Sequence, residues 1–201
     1  MIAGRTILGA ALLSLGLSGC ASFPGMPDLG SFLGGGPANR LALFDGSLTA
    51  IGPEGFCPAR GASRPADGFA VLAPCHFIAR GGAAPATLGL ITIQAGPVGS
   101  AAVEGAEEAM AGLLQSEAGG ALIEGEIDQV SFDNNLVVVQ FEDSADTAIA
   151  GAQSSGWRGF TDIRDRLVTY TVRGTAADPI TAEEGAALLN AMGVALRGEN
   201  S

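Results

Sequence analysis

The chain contains one histidine, His76, and any site that pairs a serine or cysteine nucleophile with an imidazole would have to use it. Such sites need the imidazole to take the proton of the nucleophile. No Gly-x-Ser-x-Gly turn precedes a predicted helix, and His76 follows Cys75 in a predicted strand. We therefore expect His76 to be a half-buried structural residue, and we expect no catalytic residue in this chain.

Carboxylates are numerous but scattered along the sequence. Two pairs come closest to a calcium loop: Asp143 with Asp146, and Asp162 with Asp165. Neither pair has the alternating oxygen ligands and the closing Glu of such a loop, so we expect solvated turns. Three further carboxylates are expected on a solvated helix face: Glu104, Glu107 and Glu108. The chain lacks lysine and both glycine-rich nucleotide-binding patterns. We expect no metal and no cofactor.

A predicted hairpin carries the best candidate for a recognition patch, which consists of Trp157, Arg158 and Tyr170. Exposed Trp, Tyr and Arg side chains are common anchors of protein interfaces. The alternative is that Trp157 packs in the core while Arg158 pairs with an acidic neighbour. The sequence leaves both interpretations open.

Residues 1–20 have the three parts of an export signal. Arg5 supplies a sparse positive region before an apolar run over residues 6–17. Two small residues follow the run: Ser18 and Gly19. The run is about 12 residues long, which is well short of the roughly 20 that a membrane-spanning helix needs. The segment therefore predicts export rather than a transmembrane helix.

The sequence Leu17-Ser18-Gly19-Cys20 closes this segment and resembles the lipobox of bacterial lipoprotein precursors. The resemblance implies a diacylglyceryl thioether on Cys20, cleavage between Gly19 and Cys20, and acylation of the new amine. Only cysteine supplies the thiol that receives the lipid. Because each buried methylene contributes about 0.8 kcal/mol, two or three acyl chains give a stable membrane anchor. The alternative is an ordinary signal peptide in which Cys20 is incidental.

The residues after Cys20 bear on which membrane holds the lipid. Ala21 and Ser22 stand where an Asp, by resemblance to Gram-negative lipoproteins, would favour retention in the inner membrane. The resemblance thus implies the periplasmic face of the outer membrane, with the inner membrane as the alternative. After a signal peptide at 1–19, residues 20–40 are rich in Gly and Pro and predict a lipidated flexible tether. Fully extended, the tether would reach about 60 Å, and a single domain is predicted over 41–198.

Assigning Cys20 to lipid leaves Cys57 and Cys75 as an even pair in an oxidising compartment. A disulfide between them would close a loop of about 19 residues and contribute roughly 3 kcal/mol in the chain-entropy model. A zinc pair or a redox dithiol is the alternative, but zinc needs about four ligands, and no Cys-x-x-Cys motif is present. We predict a structural disulfide.

The chain is acidic, with a formal net charge of −11 at pH 7. An acidic surface disfavours nucleic acid and anionic lipid head groups as partners. We therefore expect no nucleic-acid partner, and we expect the lipid rather than the protein surface to attach the chain to its membrane.

Apolar runs, some alternating and some continuous, predict a series of short strands. They cover residues 41–44, 47–51, 69–72, 75–78, 88–94, 122–132, 136–142, 156–161 and 166–173. Amphipathic patterns predict helices over residues 101–117 and 181–197. Gly119-Gly120 is expected to end the first helix, and Gly198 the second. Thr181 and Glu184 form a predicted capping box at the start of the second helix.

Hairpins imply an antiparallel sheet, and two amphipathic helices would cover it. The expected fold class is therefore α+β, with a mostly antiparallel sheet. The element order over residues 41–197 resembles the Mog1/PsbP-type α/β/α sandwich, and the terminal hairpin and helix at 166–197 carry the resemblance together with the helix at 101–117. The stretch from Gly55 to Cys75 also resembles uncharacterised exported proteins of alphaproteobacteria. Neither resemblance supplies functional residues.

These features favour a lipid-anchored envelope lipoprotein with a non-enzymatic binding or structural role. Its expected partners are the membrane, through the lipid, and an envelope protein or glycan. The alternative is a periplasmic hydrolase or small-molecule-binding domain with a pocket near His76 and the Cys57–Cys75 loop.

Overall fold

The structure is a computed structural model that describes residues 39–79, 82–101, 106–133, 136–144 and 149–201. For residues 106–108 and 133 it describes the backbone alone. The predicted signal peptide, the predicted lipidation site at Cys20 and the predicted tether as far as residue 38 lie outside these residues, so they stay predictions.

Within the described residues, seven strands form one antiparallel sheet, and two more form a separate hairpin. The hairpin consists of β1 (Arg40–Leu43) and β2 (Leu48–Ile51). The sheet contains β3 (Phe56–Pro58), β4 (Phe69–Pro74), β5 (Leu90–Ala95), β6 (Gly125–Asp133), β7 (Leu136–Asp143), β8 (Ser155–Asp162) and β9 (Leu167–Arg173). The spatial order is β3-β4-β5-β9-β8-β7-β6, and every neighbouring pair is antiparallel.

Four α-helices are present in the described part of the chain. They are α1 (Cys75–Ile78), α2 (Ala106–Leu114), α3 (Glu117–Ile123) and α4 (Ala182–Asn200). Helix α4 packs on β2, β8 and β9, whereas α2 packs on β6 and β7, and α3 packs on β6. The α+β class with a mostly antiparallel sheet is therefore confirmed. Within the described residues, none of these helices has the length and apolar character that crossing a membrane requires.

Alternation along the strands divides the core between the two faces of the sheet. On β7, Val137, Val139 and Phe141 join one buried cluster with Leu114 and Ile123 of the short helices. The opposite face of the sheet contributes to a larger cluster, which α4 and the β1–β2 hairpin cover. This larger cluster contains the buried stripe of α4: Leu188, Leu189, Met192 and Leu196.

Residues Cys75–Ile78 form helix α1, and the prediction of a strand there was wrong. Pro74 has no backbone N–H, so it cannot donate to a sheet ladder, and it occupies the N-cap position of α1 instead. The chain therefore turns away from the sheet directly after β4.

A single helix over residues 101–117 was also wrongly predicted, because the structure has two shorter helices, α2 and α3. Gly119 and Gly120 lie inside α3 and do not end a helix. Gly119 is buried, and a Cβ at this position would collide with the backbone of Leu114. Glycine therefore serves a close approach between the two helices here, and β6 begins only at Gly125.

Candidate functional site

Helix α1 presents a large aromatic side chain to solvent. The disulfide between Cys57 and Cys75 joins β3 to the first residue of α1, with the two Cα atoms 4.8 Å apart. The Cys75 amide also donates to the carbonyl of Gly55 at 2.7 Å, so a hydrogen bond and the disulfide both fix the start of α1. Phe77, two residues further on, is 69% exposed. The predicted cysteine pair thus lies at disulfide distance and positions α1.

An apolar groove of about 400 Å³ begins at Phe77. The groove crosses the ends of β4 and β5 and reaches the segments around residues 150 and 175. Its lining consists of Ala73, Pro74, Phe77, Leu88, Gly89, Leu90, Ile149, Ala150, Gly151, Ala152, Gly174, Thr175 and Asp178. Two further large apolar side chains in the groove are exposed, with Leu90 at 37% and Ile149 at 56%. Exposed apolar side chains that adjoin one another typically mark an interaction site.

Hydrogen bonds hold the wall of the groove that faces Phe77. The side chain of Gln153 accepts from the Ile180 amide at 2.9 Å and donates to the Ile180 carbonyl at 3.0 Å. The Ala176 amide donates to the Gly151 carbonyl at 3.0 Å, and the Asp178 amide donates to the Thr175 hydroxyl at 2.9 Å. The bonds of Gln153 with Ile180 and of Ala176 with Gly151 connect the two loops that form this wall, so contacts within the folded chain hold this part of the groove in place.

His76 is half-buried, but its side chain does not line the groove. Its ring lies 3.9 Å from that of Phe77, centroid to centroid, and its Nδ1 atom is buried without a hydrogen-bond partner in the described part of the chain. Among the described residues that line the groove, Asp178 is the only one with an ionisable side chain. This lining can hold an apolar group, but it does not supply an acid and a base to a bound molecule.

The candidate recognition patch of Trp157, Arg158 and Tyr170 does not exist as a surface, and this prediction is corrected. Trp157 and Tyr170 are 3% and 0% exposed and belong to the cluster beneath α4. Arg158 follows Trp157 on the same strand, so its side chain lies on the opposite face of the sheet. The alternative interpretation, with Trp157 in the core, describes the structure.

Arg158 belongs to a half-buried cluster of charges beneath α3. Its Nε donates to the Thr171 hydroxyl at 3.0 Å, and its guanidinium lies 4.9 Å from the centre of the Phe141 ring. Burial lowers the pKa of Arg158, and the positive charge of Arg173 lowers it further, whereas the carboxylates of Glu124 and Asp143 raise it.

Asp143 forms the ion pair of this cluster, which corrects its expected place in a solvated loop. Its two carboxylate oxygens accept from Arg173 at 2.6 and 2.7 Å, and both side chains are buried. Arg173 also donates to the carbonyls of Gln153 and Ser154. Removing one partner of such a pair leaves a buried charge without compensation, so the cluster has a structural role that connects β7 to β9.

Among the other carboxylates whose side chains the structure describes, none belongs to a group that could hold a metal ion. Asp162 and Asp165 are exposed at the turn between β8 and β9, where solvated residues were predicted. Asp146 and Glu104 lie outside the described residues, and for Glu107 and Glu108 the backbone alone is described. No group of three or more His, Cys, Asp or Glu side chains within the described ranges is placed to hold a metal ion.

Sequence reasoning missed the groove residues Phe77, Leu90 and Ile149. Phe77 was assigned to a strand, where an apolar side chain is expected to pack, and the turn after Pro74 exposes it instead. The alternative hypothesis expected a pocket near His76 and the Cys57–Cys75 loop; the groove includes Ala73 and Pro74 of that loop, but Phe77 rather than His76 lines it.

Comparisons with known proteins identify structural likenesses alone. No protein-family model matches the sequence, and no curated protein matches it significantly. Among solved structures, the chain is similar to the Ran-binding protein Mog1p of Saccharomyces cerevisiae, with 16% identity and a TM-score of 0.42. It is also similar to a point mutant of protein Mog1, with 17% identity and a TM-score of 0.41. Each match covers 76% of this chain and 82% of the other. At these TM-scores nothing of their binding is carried over.

Proposed function

We propose that this chain is a lipid-anchored envelope lipoprotein whose folded part binds another envelope protein without catalysing a reaction. The lipobox at Leu17–Cys20 supports the anchor, and Ala21 and Ser22 support the outer membrane as its location. The Gly- and Pro-rich tether would let the folded part reach a partner up to about 60 Å from the membrane surface. The binding face would be the apolar groove that begins at Phe77.

The exposure of Phe77 is the observation that carries this proposal. Phe77 is 69% exposed and stands at the end of a groove of about 400 Å³. The apolar surfaces of Phe77 and of the groove floor are therefore both in contact with water. Burying a phenylalanine fully contributes about 1.5–3 kcal/mol, so a partner that fills the groove would gain from Phe77 and from the groove floor together. Preformed apolar pockets of this size are common ligand sites.

The composition of the lining favours a protein over a glycan. Sugars are held by many hydrogen bonds, whereas the described lining offers polar side chains at Thr175 and Asp178 alone. Apolar side chains of a protein segment need no such partners. The hydrolase alternative gains no support from this site, because His76 lies outside the lining and the described lining brings no second ionisable group to Asp178.

Photo-crosslinking in cells tests the proposed binding face. A photoreactive phenylalanine derivative placed at position 77 should give one discrete protein adduct in the membrane fraction. Substituting Leu90→Asp or Ile149→Asp in the same chain should reduce the adduct at least about fivefold, since a carboxylate in an apolar interface stays unpaired.

Position 194 provides the matched control. Val194 is 66% exposed on α4, which covers the face of the sheet opposite to α2 and α3. The same photoreactive residue there should give no adduct of that mass. Three results would contradict the proposal. Positions 77 and 194 could give equal adducts, the adduct could consist of glycan or lipid, or Leu90→Asp could leave the adduct unchanged.

A further inference from the structure

Strand β6 ends the sheet, and among the residues that the structure describes no further strand pairs with its outer edge. It covers nine residues, Gly125–Asp133, and its partner in the described structure is β7 alone. In an antiparallel pair, every second residue turns its N–H and C=O away from the partner strand. The outer edge of β6 therefore presents a row of main-chain donors and acceptors that a further strand can use.

A cleft of about 400 Å³ runs beside this edge. It lies between β6 and the junction of α2 with α3, and its lining consists of Leu114, Gln115, Ser116, Glu117, Gly120, Gly125, Glu126, Ile127, Asp128, Gln129 and Val130. Ile127 and Val130 pack against the core beneath α2 and α3. An added strand would therefore place every second side chain beside an apolar surface.

The charged residues of this cleft share one sign. Glu117, Glu126 and Asp128 are all exposed, and the described lining contains no basic residue. Asp128 lies at a bulge, where the register between β6 and β7 shifts. Charges and bulges at an edge commonly prevent pairing with a second copy, because like charges on adjacent strands repel each other. The same charges attract a strand of opposite sign.

We propose that β6 accepts an eighth strand from a partner protein, and that this strand alternates apolar with basic residues. Its apolar side chains would lie beside Ile127 and Val130, and its basic side chains would lie near Glu126 and Asp128. Main-chain hydrogen bonds would supply affinity and the alternating side chains specificity, as in other cases of strand addition. A second copy of this chain is disfavoured, because it would bring the same carboxylates to the interface.

This site does not depend on the groove at Phe77. The groove crosses the ends of β4 and β5, whereas β6 is the last strand at one end of the sheet order. Either site can therefore fail its test while the other passes.

A synthetic peptide of alternating valine and arginine, long enough to cover β6, is a suitable probe for the full-length protein in detergent. Fluorescence anisotropy should detect saturable binding, and amide hydrogen exchange should slow in residues 125–133 on addition of the peptide. Substituting Glu126→Lys together with Asp128→Lys should weaken binding by about tenfold or more, because these exposed carboxylates face the basic side chains. The matched control is Glu54→Lys with Asp67→Lys, which changes the net charge equally at exposed sites on the β3–β4 side of the sheet and should leave binding unchanged.

Two N-methylated peptides separate strand addition from general charge attraction. In a bound strand, alternate N–H groups face β6, so methylation of one alternate set should abolish binding while methylation of the other set should not. Equal binding of both methylated peptides would overturn the proposal. The proposal would also be overturned if the peptide did not bind, or if the two charge-reversal pairs had equal effects. A dimer of the protein alone in which residues 125–133 are protected from exchange would overturn it as well.

Discussion

Tyr170 is the only tyrosine of the chain, and it is fully buried beneath α4. Burial raises the pKa of Tyr170 to about 12, although the positive charge of Arg197 acts in the opposite direction. The chain has no lysine and no second tyrosine, so Tyr170 is the side chain to follow in an alkaline titration between pH 10 and 12.

The unfolding free energy should fall as the pH rises from 10 to 12. The unfolded chain releases the Tyr170 proton near pH 10, whereas the folded protein keeps it until about pH 12, so deprotonation favours unfolding in this window. Two pH units correspond to about 2–3 kcal/mol. Urea unfolding at a series of pH values, followed by the fluorescence of Trp157, measures the change. The variant Tyr170→Phe should show no such decline, and an equal decline in the variant would refute the assignment.

Residue types predicted some roles in this chain and not others. The two cysteines left after Cys20 could be paired by counting, because a disulfide requires two thiols. The positions of Trp157 and Tyr170 could not be predicted, because both residues suit an interface and a core equally well, and the choice depends on which face of the sheet α4 covers. Ion pairing of Asp143 with Arg173 is also a tertiary event, since 30 residues separate the two in sequence.

At the scale of elements, the side chain of Asn200 joins the end of α4 to the β1–β2 hairpin, next to the ion pair of Glu199 with Arg40. Asn200 is 4% exposed, and its amide accepts from the Thr49 N–H at 2.8 Å and donates to the Thr49 carbonyl at 2.9 Å. A third bond goes from Asn200 to the Leu196 carbonyl at 2.8 Å. The side chain therefore acts as a short strand partner for β2 and connects the last helix to the first hairpin.

Substituting Asn200→Ala should lower the unfolding free energy by about 2–4 kcal/mol, because it leaves both backbone groups of Thr49 without their partner. The matched control is Asn190→Ala on the exposed face of the same helix, which should change stability by less than about 0.5 kcal/mol. Urea unfolding at neutral pH compares the two variants. If Asn200→Ala lowered the unfolding free energy no more than Asn190→Ala does, the bonds between Asn200 and Thr49 would not contribute to stability.

Elements with strong local signals were predicted best. The capping box of α4 is present, with the Glu184 amide donating to the Thr181 hydroxyl and the Thr181 amide donating to the Glu184 carboxylate. Gly198 does not end α4, which continues for two more residues to Asn200. The division between α2 and α3 could not be predicted, since the close approach at Gly119 depends on how the two helices pack.

At the scale of the whole molecule, one sheet separates two cores, and the features proposed for binding lie at its margins. The groove at Phe77 and the edge of β6 differ in chemistry, because the first is apolar and the second is acidic. A net charge of −11 would keep the folded part away from anionic head groups and leave attachment to the lipid on Cys20. Location is therefore central to the proposed role.

Mass spectrometry of the protein purified from bacterial membranes tests the proposed lipid anchor on Cys20 most directly. The mature chain should begin at Cys20 and carry diacylglycerol on its sulfur, with incorporation of labelled palmitate. The variant Cys20→Ser should remain an unprocessed precursor without label, whereas Cys57→Ser with Cys75→Ser should still be acylated. A mature chain that begins elsewhere without lipid, or normal acylation of Cys20→Ser, would contradict the account.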